Sequence, residues 1–559
     1  MLEPRVTDPN LASVPAEEKR PGEMRFFTGR RRDAVISLSM ANFCFVRVWG
    51  EILAYRRTDA VWLETIPSPV DDVAVMTAVL LLAAALYGAM RMARRYPGDR
   101  GRKIARFASF GLAAIPLNGL RAALSPLTIY LKSPLLGLIG TRTLVLLILP
   151  ACAGILWLGW KYQRQIAAAA SVALVALSPF CLLTFGEALT AMFTYRGQPL
   201  HDGPLAPRLA TGVPATRVVW IVFDEWDYRL TFADRPESLA MPEIDRLRTE
   251  SLFAEEARSP AMDTSTSLPS LLTGRRLEAV AGESGVGMEV EPAGPRNVNP
   301  APWGESSSIF YTVRKAGLNV GLVGWYLPYC RTLNGVLPEC VWCALPIQAN
   351  STGHSFLAGF LGSGFWGTVA GQSVSLLETD SLSVFGQSSS TRHKVQQYLE
   401  LLAESKKDVA DAGLGLVFLH IPVPHAPHAY NRFTKQLDGR NRPISGYIDS
   451  LALLDRMLGE LRATMESHGT WDHTVLLVSA DHPFRASQAL DGKSDRRVPF
   501  LLHFPGQATA GVYASRFDTI LSANLVYAIL RGPVSTSAEA SEWIRRRQGD
   551  RESPVQGAE

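Results

Sequence analysis

Long apolar stretches occur in the first third of the chain and are absent beyond roughly residue 190. Because a helix needs about 20 mostly apolar residues to cross a bilayer, these stretches predict five membrane-spanning helices. Their predicted bounds are Ala34–Tyr55, Val73–Met90, Ile104–Leu120, Thr143–Trp160 and Ile166–Gly186. Arg47 interrupts the first stretch and Arg106 the third, and such side chains are costly in hydrocarbon unless they face protein. The pattern predicts a five-span membrane domain over residues 34–186.

Basic residues lie mainly on one side of the predicted spans. The N-terminal arm, residues 1–33, ends in a basic run that reaches Arg32, and the loop from Arg91 to Lys103 is rich in arginine. Segments with excess Lys and Arg stay in the cytoplasm, so the N-terminus is predicted inside and, after five spans, the C-terminal part outside. The chain is thus predicted to be a multi-pass protein of the cytoplasmic (inner) membrane with an extracytoplasmic, or periplasmic, domain. A cleavable signal peptide is not expected, because the arm is long and further spans follow.

Beyond the spans, strand-like and helix-like segments alternate. Residues 187–215 contain four prolines and predict an extended linker. Apolar β-branched runs predict buried strands; the strands are Arg217–Phe223, Val320–Val323, Gly415–His420, Thr474–Ser479 and Val498–His503, and the longer helices are Lys394–Ala410 and Tyr447–Leu461. This alternation predicts an α/β sheet flanked by helices over residues 216–534, followed by a flexible polar tail at 535–559.

Composition agrees with a protein that is part membrane-embedded and part globular. The 559 residues are 47% hydrophobic and only 19% charged, whereas soluble domains carry about 25% charged residues. A formal net charge of +4 over this length excludes an acidic disordered protein and gives no basic footprint for nucleic acid.

Polar residues follow three of the predicted strands: Asp224 with Glu225, His425 with His428, and Asp481 with His482. In sheets of this kind catalytic groups gather at the carboxyl ends of the strands. Carboxylates and an imidazole from separate strand ends can bind a divalent cation such as Zn²⁺ or Mn²⁺. In the alternative interpretation, each of these residues merely caps a helix or shapes a turn.

A hydroxyl cluster, Thr264–Ser267, precedes the segment Leu268–Gly274. A hydroxyl at a helix start lies near unpaired N–H groups and the positive end of the helix dipole, which favour a bound phosphate or sulfate. A hydroxyl that also ligates a metal can ionise to a nucleophile. The simpler alternative is a helix cap.

Several segments together resemble the sulfatase and alkaline-phosphatase superfamily, in that superfamily's order, over roughly residues 216–510. They are VVWIVFDE (Val218–Glu225), MPEIDRL (Met241–Leu247), Thr264–Gly274 ending in LLTG, HIPVPHAP (His420–Pro427), VSADH (Val478–His482) and Gly492-Lys493 leading to Arg497-Val498-Pro499. The resemblance implies a sulfatase-like mixed sheet flanked by helices. Five spans before an external domain resemble the architecture of lipoteichoic acid synthase and the phosphoethanolamine transferases.

The resemblance also implies roles for individual residues. Thr264 would be the nucleophile, and one divalent ion, Zn²⁺ or Mn²⁺ before Mg²⁺ or Ca²⁺, would be held by Asp224, Thr264, Asp481 and His482. His425, His428 and Lys493 would contact the substrate. Whether Glu225 is a further ligand stays open, because branches of the superfamily differ at that position.

Sulfatases carry a Cys or Ser that is converted to formylglycine, and this chain has Thr264 at that position. The resemblance therefore implies a membrane-anchored, metal-dependent hydrolase or transferase that acts on phosphodiesters of lipid-linked or cell-envelope substrates. The alternatives are a sulfuric ester hydrolase and a catalytically degenerate domain that binds envelope polymer. Pro483, where the family has Gly, favours the degenerate domain.

Three cysteines, Cys330, Cys340 and Cys343, lie close together in the predicted external domain. Outside the cytoplasm disulfides form and persist, and we expect Cys330–Cys340 rather than Cys330–Cys343. A zinc site is the other alternative, although it would need a fourth ligand.

Overall fold

A computed structural model of the chain describes residues 29–54, 67–95, 161–194, 202–282, 288–292, 301–344, 364–374, 389–442 and 444–552, with the single positions 154, 157, 158 and 376. Its α-helices are α1 (Gly29–Cys44), α2 (Val46–Ala54), α3 (Pro69–Arg95), α4 (Gln163–Ala176), α5 (Pro179–Thr194), α6 (Pro242–Thr249), α7 (Thr264–Thr273), α8 (Ile309–Lys315), α9 (Tyr329–Thr332), α10 (Phe365–Val374), α11 (Ser389–Ala410), α12 (Gly446–Ser467), α13 (Gln488–Asp491), α14 (Ser522–Leu530) and α15 (Ser537–Glu552).

Its strands are β1 (Arg217–Phe223), β2 (Leu252–Ala254), β3 (Ala257–Arg258), β4 (Leu277–Gly282), β5 (Met288–Pro292), β6 (Ala301–Trp303), β7 (Asn319–Trp325), β8 (Glu339–Cys343), β9 (Leu414–Ile421), β10 (His428–Asn431), β11 (Gln436–Arg442), β12 (Thr474–Ala480), β13 (Phe500–His503), β14 (Gly511–Tyr513) and β15 (Phe517–Asp518).

One helix in the described N-terminal part is long and apolar enough to cross a membrane: Pro69–Met92, within α3. The pair α1 and α2 is bent by 58° and the pair α4 and α5 by 41°, so the number rises to three only if each pair forms one span. The second bend coincides with Pro179, which lacks an N–H and starts a new helix.

These helices correspond to three of the five predicted spans: Ala34–Tyr55, Val73–Met90 and Ile166–Gly186. The last of them continues past Gly186 to Thr194, into the segment predicted as linker. The span at 104–120, and all but three positions of the span at 143–160, lie outside the described residues. Five spans therefore stay a prediction.

An eight-stranded sheet, in the order β14-β2-β13-β12-β1-β9-β7-β8, forms the centre of the C-terminal part. Strands β12, β1, β9, β7 and β8 are mutually parallel, whereas β13 is antiparallel to β12. Every residue of β1, β9 and β12 is buried, as expected for strands with helices on both faces. The predicted mixed α/β sheet flanked by helices is confirmed.

The C-terminal segment differs from its prediction as a flexible tail. Residues 537–552 form α15, and Ala540 and Ile544 on that helix are almost completely buried. Trp543 packs beside them, so the apolar residues recur at helical spacing on one face. The sequence prediction missed this helix because many arginines surround its few apolar residues.

Candidate active site

Strand pairing brings the predicted acidic residues together. Phe223 at the end of β1 is in register with Ala480 at the end of β12, so the residues that follow, Asp224 and Asp481, are neighbours. On the other side of β1, Val222 is in register with His420 of β9. Three polar residues therefore meet at the carboxyl edge of the sheet.

Asp224, His420 and Asp481 form a buried group in which one potential ligand atom from each residue lies within 4.8 Å of the others. Oδ2 of Asp224, Oδ2 of Asp481 and Nε2 of His420 have no hydrogen-bond partner in the described part of the chain. Burial raises the pKa of Asp481 to about 7, and burial together with the charge of Asp481 raises the pKa of Asp224 to about 6. Unpaired buried carboxylates are costly, and a divalent cation would satisfy all three atoms.

The hydroxyl of Thr264 faces this group. Thr264 is the first residue of α7, whose N-terminus is capped by Asp263 through the N–H of Thr266 at 2.9 Å. Thr264 Oγ1 lies 3.2 Å from Nε2 of His482 and donates to Oδ1 of Asp224 at 3.5 Å. The hydroxyl cluster thus lies at a helix start, and the four ligands that the resemblance implies converge at the N-terminal end of that helix.

The ring orientation of His482 follows from its hydrogen bonds. Nδ1 lies 3.0 Å from the carbonyl oxygen of Pro483, which can only accept, so Nδ1 carries the proton. In the neutral imidazole the lone pair of Nε2 then faces Thr264, and Nε2 lies 3.4 Å from Oδ2 of Asp481. Nε2 is therefore able to accept a proton or to bind a cation.

The neighbouring hydroxyls have other partners. Ser265 Oγ donates to Oδ1 of Asp263 at 2.6 Å, and Ser267 Oγ donates to the carbonyl oxygen of Asp481 at 2.5 Å. Both bonds fix the loop and the helix start, which leaves Thr264 as the residue whose hydroxyl is aimed at His482 and Asp224.

Glu225 contacts the group through its backbone. It adopts a positive φ of 64°, its N–H donates to Oδ1 of Asp481 at 3.1 Å, and its carbonyl oxygen accepts from the hydroxyl of Tyr447 at 2.6 Å. Its carboxylate accepts from Nε of Arg485 at 2.8 Å. Burial alone would raise the pKa of Glu225, but the charges of His425 and Arg485 lower it overall.

The two histidines after β9 occupy different environments. His425 is partly exposed, with its ring centroid 5.4 Å from that of Trp325. His428 is 4% exposed; its Nδ1 lies 3.2 Å from Oγ of Ser450, and its ring stands edge-on to Tyr447. Burial lowers the pKa of His428 to about 4. His428 thus packs against Tyr447, whose hydroxyl contacts the backbone of Glu225, whereas His425 is partly exposed to solvent.

Lys493, the third predicted substrate-binding residue, is exposed and ion-paired with Asp234 at 3.0 Å. Asp234 is also bound by Arg229, which pairs in turn with Asp491. Among the described residues, the ion pairs of Lys493 therefore tie it to this separate network and not to Thr264.

His420, Lys394 and Arg485 also lie around the site, and the sequence did not single them out. A histidine within the apolar strand β9 was the available signal for His420. Lys394, on α11, donates to the carbonyl oxygen of Ala426 at 3.3 Å and lies 4.1 Å over the ring of Trp325. Burial lowers the pKa of Lys394 to about 8.

Cys330 and Cys340 form a disulfide with their Cα atoms 5.8 Å apart. This is the pairing that the sequence favoured over Cys330–Cys343. The bond joins α9 to β8 at the edge of the large sheet.

Comparisons with known proteins extend over the same part of the chain. The model of the family described as sulfatase matches residues 216–531. Similar solved structures include a phosphonate monoester hydrolase of Agrobacterium radiobacter (15% identity, 56% of this chain and 74% of that chain, TM-score 0.36) and the lipoteichoic acid synthase LtaP from Listeria monocytogenes (14%, 57% and 72%, TM-score 0.32). The sulfatase PsFucS1 from Pseudoalteromonas sp. is also similar (15%, 57% and 68%, TM-score 0.35). No curated protein matches the chain.

Proposed function

Because the chain belongs to the sulfatase family, and is therefore a sulfatase-like hydrolase or transferase, we propose that it cleaves phosphodiesters of lipid-linked or cell-envelope substrates with Thr264 as nucleophile. The observation that carries the proposal is the position of the Thr264 hydroxyl, 3.2 Å from Nε2 of His482 and beside the buried group of Asp224 and Asp481. A threonine is not converted to formylglycine, which favours phosphoryl transfer over sulfate ester hydrolysis.

A divalent cation fits the residues present. The unpartnered oxygens of Asp224 and Asp481 and the lone pair of His482 Nε2 would hold it with Thr264, and His420 offers a further nitrogen. Mixed oxygen and imidazole ligands suit Zn²⁺ or Mn²⁺, and the carboxylates also admit Mg²⁺ or Ca²⁺. When bound, the cation supplies Lewis acidity and lowers the pKa of a coordinated hydroxyl.

The residues of the chain then account for a two-step transfer. Thr264 Oγ1 bonds to phosphorus as it loses its proton, for which Asp224 Oδ1, 3.5 Å away, is the acceptor in reach while His482 Nε2 faces the cation. The ester bond to the first alcohol breaks as the departing oxygen takes up a proton, which leaves Thr264 joined through phosphorus to the rest of the substrate as a phosphodiester. Water or a second alcohol then attacks the same phosphorus and restores the threonine hydroxyl. The N-terminal end of α7 favours the negative charge that develops on the phosphoryl oxygens.

Contacts between α3 and α10 support an extracytoplasmic position for the site. Helix α10 belongs to the C-terminal part, and Val369 on it packs into the apolar cluster that includes Ala74 and Val75 of α3. Gln372 also donates to the carbonyl oxygen of Asp71 at 3.2 Å. Helix α10 therefore contacts the Asp71 end of α3, opposite the basic end at Arg91–Arg95. Since basic ends stay in the cytoplasm, the contact favours the outer side for the active site.

The proposal is tested with the full-length protein in detergent, loaded with Mn²⁺ or Zn²⁺ and assayed on a chromogenic phosphodiester, a phosphomonoester and a sulfate ester. Thr264→Ala should lower diesterase activity by a factor of roughly 10³ or more, with the metal content largely retained. Ser265→Ala is the matched control, and it should cost at most about 1–2 kcal/mol of stability through its contact with Asp263.

Full diesterase activity in Thr264→Ala would contradict the assignment. Turnover of the sulfate ester alone would favour the sulfuric ester hydrolase. A wild-type protein that binds no divalent metal and turns over none of the three esters would favour the degenerate domain.

A further inference from the structure

The loop after His482 is held firmly in place. It begins with Pro483, and the ring of Phe484 stacks on that of Tyr447 with centroids 3.8 Å apart and planes within 9°. Phe484 is 5% exposed. The stacked ring fixes the direction of the next residue, Arg485, toward the carboxyl edge of the sheet.

Glu225 holds Arg485 by one nitrogen. The 2.8 Å bond uses Nε of the guanidinium, and the Glu225 backbone is itself fixed by Asp481 and Tyr447. Glu225 is almost fully enclosed, with 7% of its side chain exposed, whereas 48% of the Arg485 side chain is exposed. Within the described residues, Nη1 and Nη2 of Arg485 have no hydrogen-bond partner. A guanidinium anchored through Nε presents its two terminal nitrogens as a fork, the geometry that suits phosphate oxygens.

The acidic residues of the site favour a positively charged side chain such as that of Arg485. Asp224, Asp481 and Glu225 are acidic residues at one sheet edge, and the charges of Asp224 and Asp481 also act on Arg485. An anionic ester that approaches this edge needs a positive partner in addition to a metal. Lys493, which the resemblance implies for this task, is engaged by Asp234.

We propose that Arg485 is a substrate-binding residue of this active site, held by Glu225 so that Nη1 and Nη2 bind the non-bridging oxygens of the ester. The assignment rests on the proposed function for the identity of the ester, but the anion site itself is measurable without turnover. Glu225 is in this account a positioning residue.

The probe is inorganic phosphate, titrated into the full-length Mn²⁺-loaded protein and followed by calorimetry. Arg485→Gln should weaken phosphate binding on the order of 10- to 100-fold, the range expected for the loss of hydrogen bonds from a charged group. Arg485→Lys keeps the charge but not the fork, so its affinity should lie between those of the wild type and Arg485→Gln. Arg246→Gln is the matched control, because Arg246 is equally exposed at 49% and pairs with Glu250 elsewhere; it should bind phosphate like the wild type.

Kinetics supply a second readout. A contact to non-bridging oxygens forms in the ground state as well as in the transition state, so Arg485→Gln should raise KM by a factor similar to the loss in phosphate affinity and change kcat less. Glu225→Gln, which frees the guanidinium, should raise KM less than Arg485→Gln does.

A double variant separates binding from folding. Arg485→Gln alone leaves the enclosed Glu225 carboxylate without its partner, whereas Glu225→Gln with Arg485→Gln replaces the pair by two neutral side chains of similar shape. The double variant should still bind phosphate about as weakly as Arg485→Gln. If the double variant binds phosphate as tightly as the wild type, the role of Arg485 is limited to the structural ion pair with Glu225, and the proposal is overturned.

The two proposals fail in different ways. If phosphate affinity falls in Arg485→Gln while wild-type diesterase activity is absent, the anion site stands and the proposed reaction fails. If Thr264→Ala is inactive while Arg485→Gln keeps both KM and phosphate affinity, the reaction stands and the assignment of Arg485 fails.

Discussion

Asp481→Asn should make the metal-free protein more stable and at the same time abolish tight metal binding. Oδ1 of Asp481 accepts two backbone N–H groups, from His482 at 2.7 Å and Glu225 at 3.1 Å, and an amide oxygen can accept both. The new amide nitrogen would replace Oδ2, which lies 3.4 Å from the lone pair of His482 Nε2. The substitution therefore replaces Oδ2, a buried acceptor without a hydrogen-bond partner in the described part of the chain, by an amide N–H group that can donate to Nε2 of His482.

The magnitude follows from the separation of the two carboxylates. Their ligand atoms lie within 4.8 Å, where two unit charges repel by roughly 3–4 kcal/mol at an effective dielectric constant of about 20. Part of that gain is offset, because the neutral amide oxygen accepts the N–H groups of His482 and Glu225 more weakly than a carboxylate oxygen does. We expect a gain of about 1–2 kcal/mol at pH 8.

The gain should depend on pH in a defined direction. A carboxyl group whose pKa is raised by folding binds more protons in the folded state, so the stability of the metal-free wild type falls as the pH rises from about 4 through 6 and 7. At pH 5.5 Asp481 is already mostly protonated, and Asp481→Asn should then change stability little. Bound Mn²⁺ should stabilise the wild type more at pH 8 than at pH 5.5, because protons compete for the ligands.

Thermal unfolding of the full-length protein in detergent, followed by tryptophan fluorescence, measures these effects. With EDTA at pH 8, Asp481→Asn should raise Tm by roughly 2–4 °C, and with Mn²⁺ the wild type should become the more stable protein. Asp455→Asn is the control, because Asp455 is buried, has a pKa raised to about 6 by burial, and caps α6 through the N–H of Ile244 at 2.8 Å, away from Thr264. It should leave the Mn²⁺ effect intact. An unchanged Mn²⁺ effect in Asp481→Asn, or a lower Tm in EDTA, would refute the reasoning.

Further outcomes can be measured independently. Cys330→Ser with Cys340→Ser should lower stability by about 2–3 kcal/mol, because the bond closes a loop with a sequence separation of 10; peptide mapping that finds three unmodified thiols in this segment would contradict the pairing. Reporter fusions should place residue 97 in the cytoplasm and residue 300 outside, and a report of the same side for both would overturn the topology. His428→Ala should lower stability by about 1–3 kcal/mol, through the lost contacts with Ser450 and Tyr447. His425→Ala should instead lower kcat/KM with little change in Tm. A fall in Tm for His425→Ala, with a fall in kcat/KM alone for His428→Ala, would contradict these assignments.

The central strands were predictable because their residues are buried on both faces, which leaves apolar runs such as Arg217–Phe223 unbroken. Parallel pairing of β1 with β12 then brings Asp224 beside Asp481 without any further information. The interpretation of the hydroxyl cluster as a helix start agrees with α7, which begins at Thr264 and contains Pro269 in its interior.

The residues that complete the site depend on tertiary contacts. Lys493 and Arg485 both lie in the polar stretch after β12, and only the ion pairs made by Asp234 and Glu225 distinguish them. His428 is only three residues from His425 in the sequence, yet it belongs to β10 and its ring contacts Ser450 and Tyr447. Local sequence carries no signal for such a change of direction.

Detection of the covalent intermediate tests the account most directly. The full-length, metal-loaded protein is mixed with a phosphodiester, quenched in acid during turnover and digested with trypsin, and the peptide from Ser259 to Arg275 is sequenced by mass spectrometry. The account predicts an adduct on Thr264 that consists of the phosphoryl group with its remaining ester, appears only with substrate and is absent from Thr264→Ala. An active enzyme that carries no adduct, or carries it on Ser265, Thr266 or Ser267, would contradict Thr264 as the nucleophile.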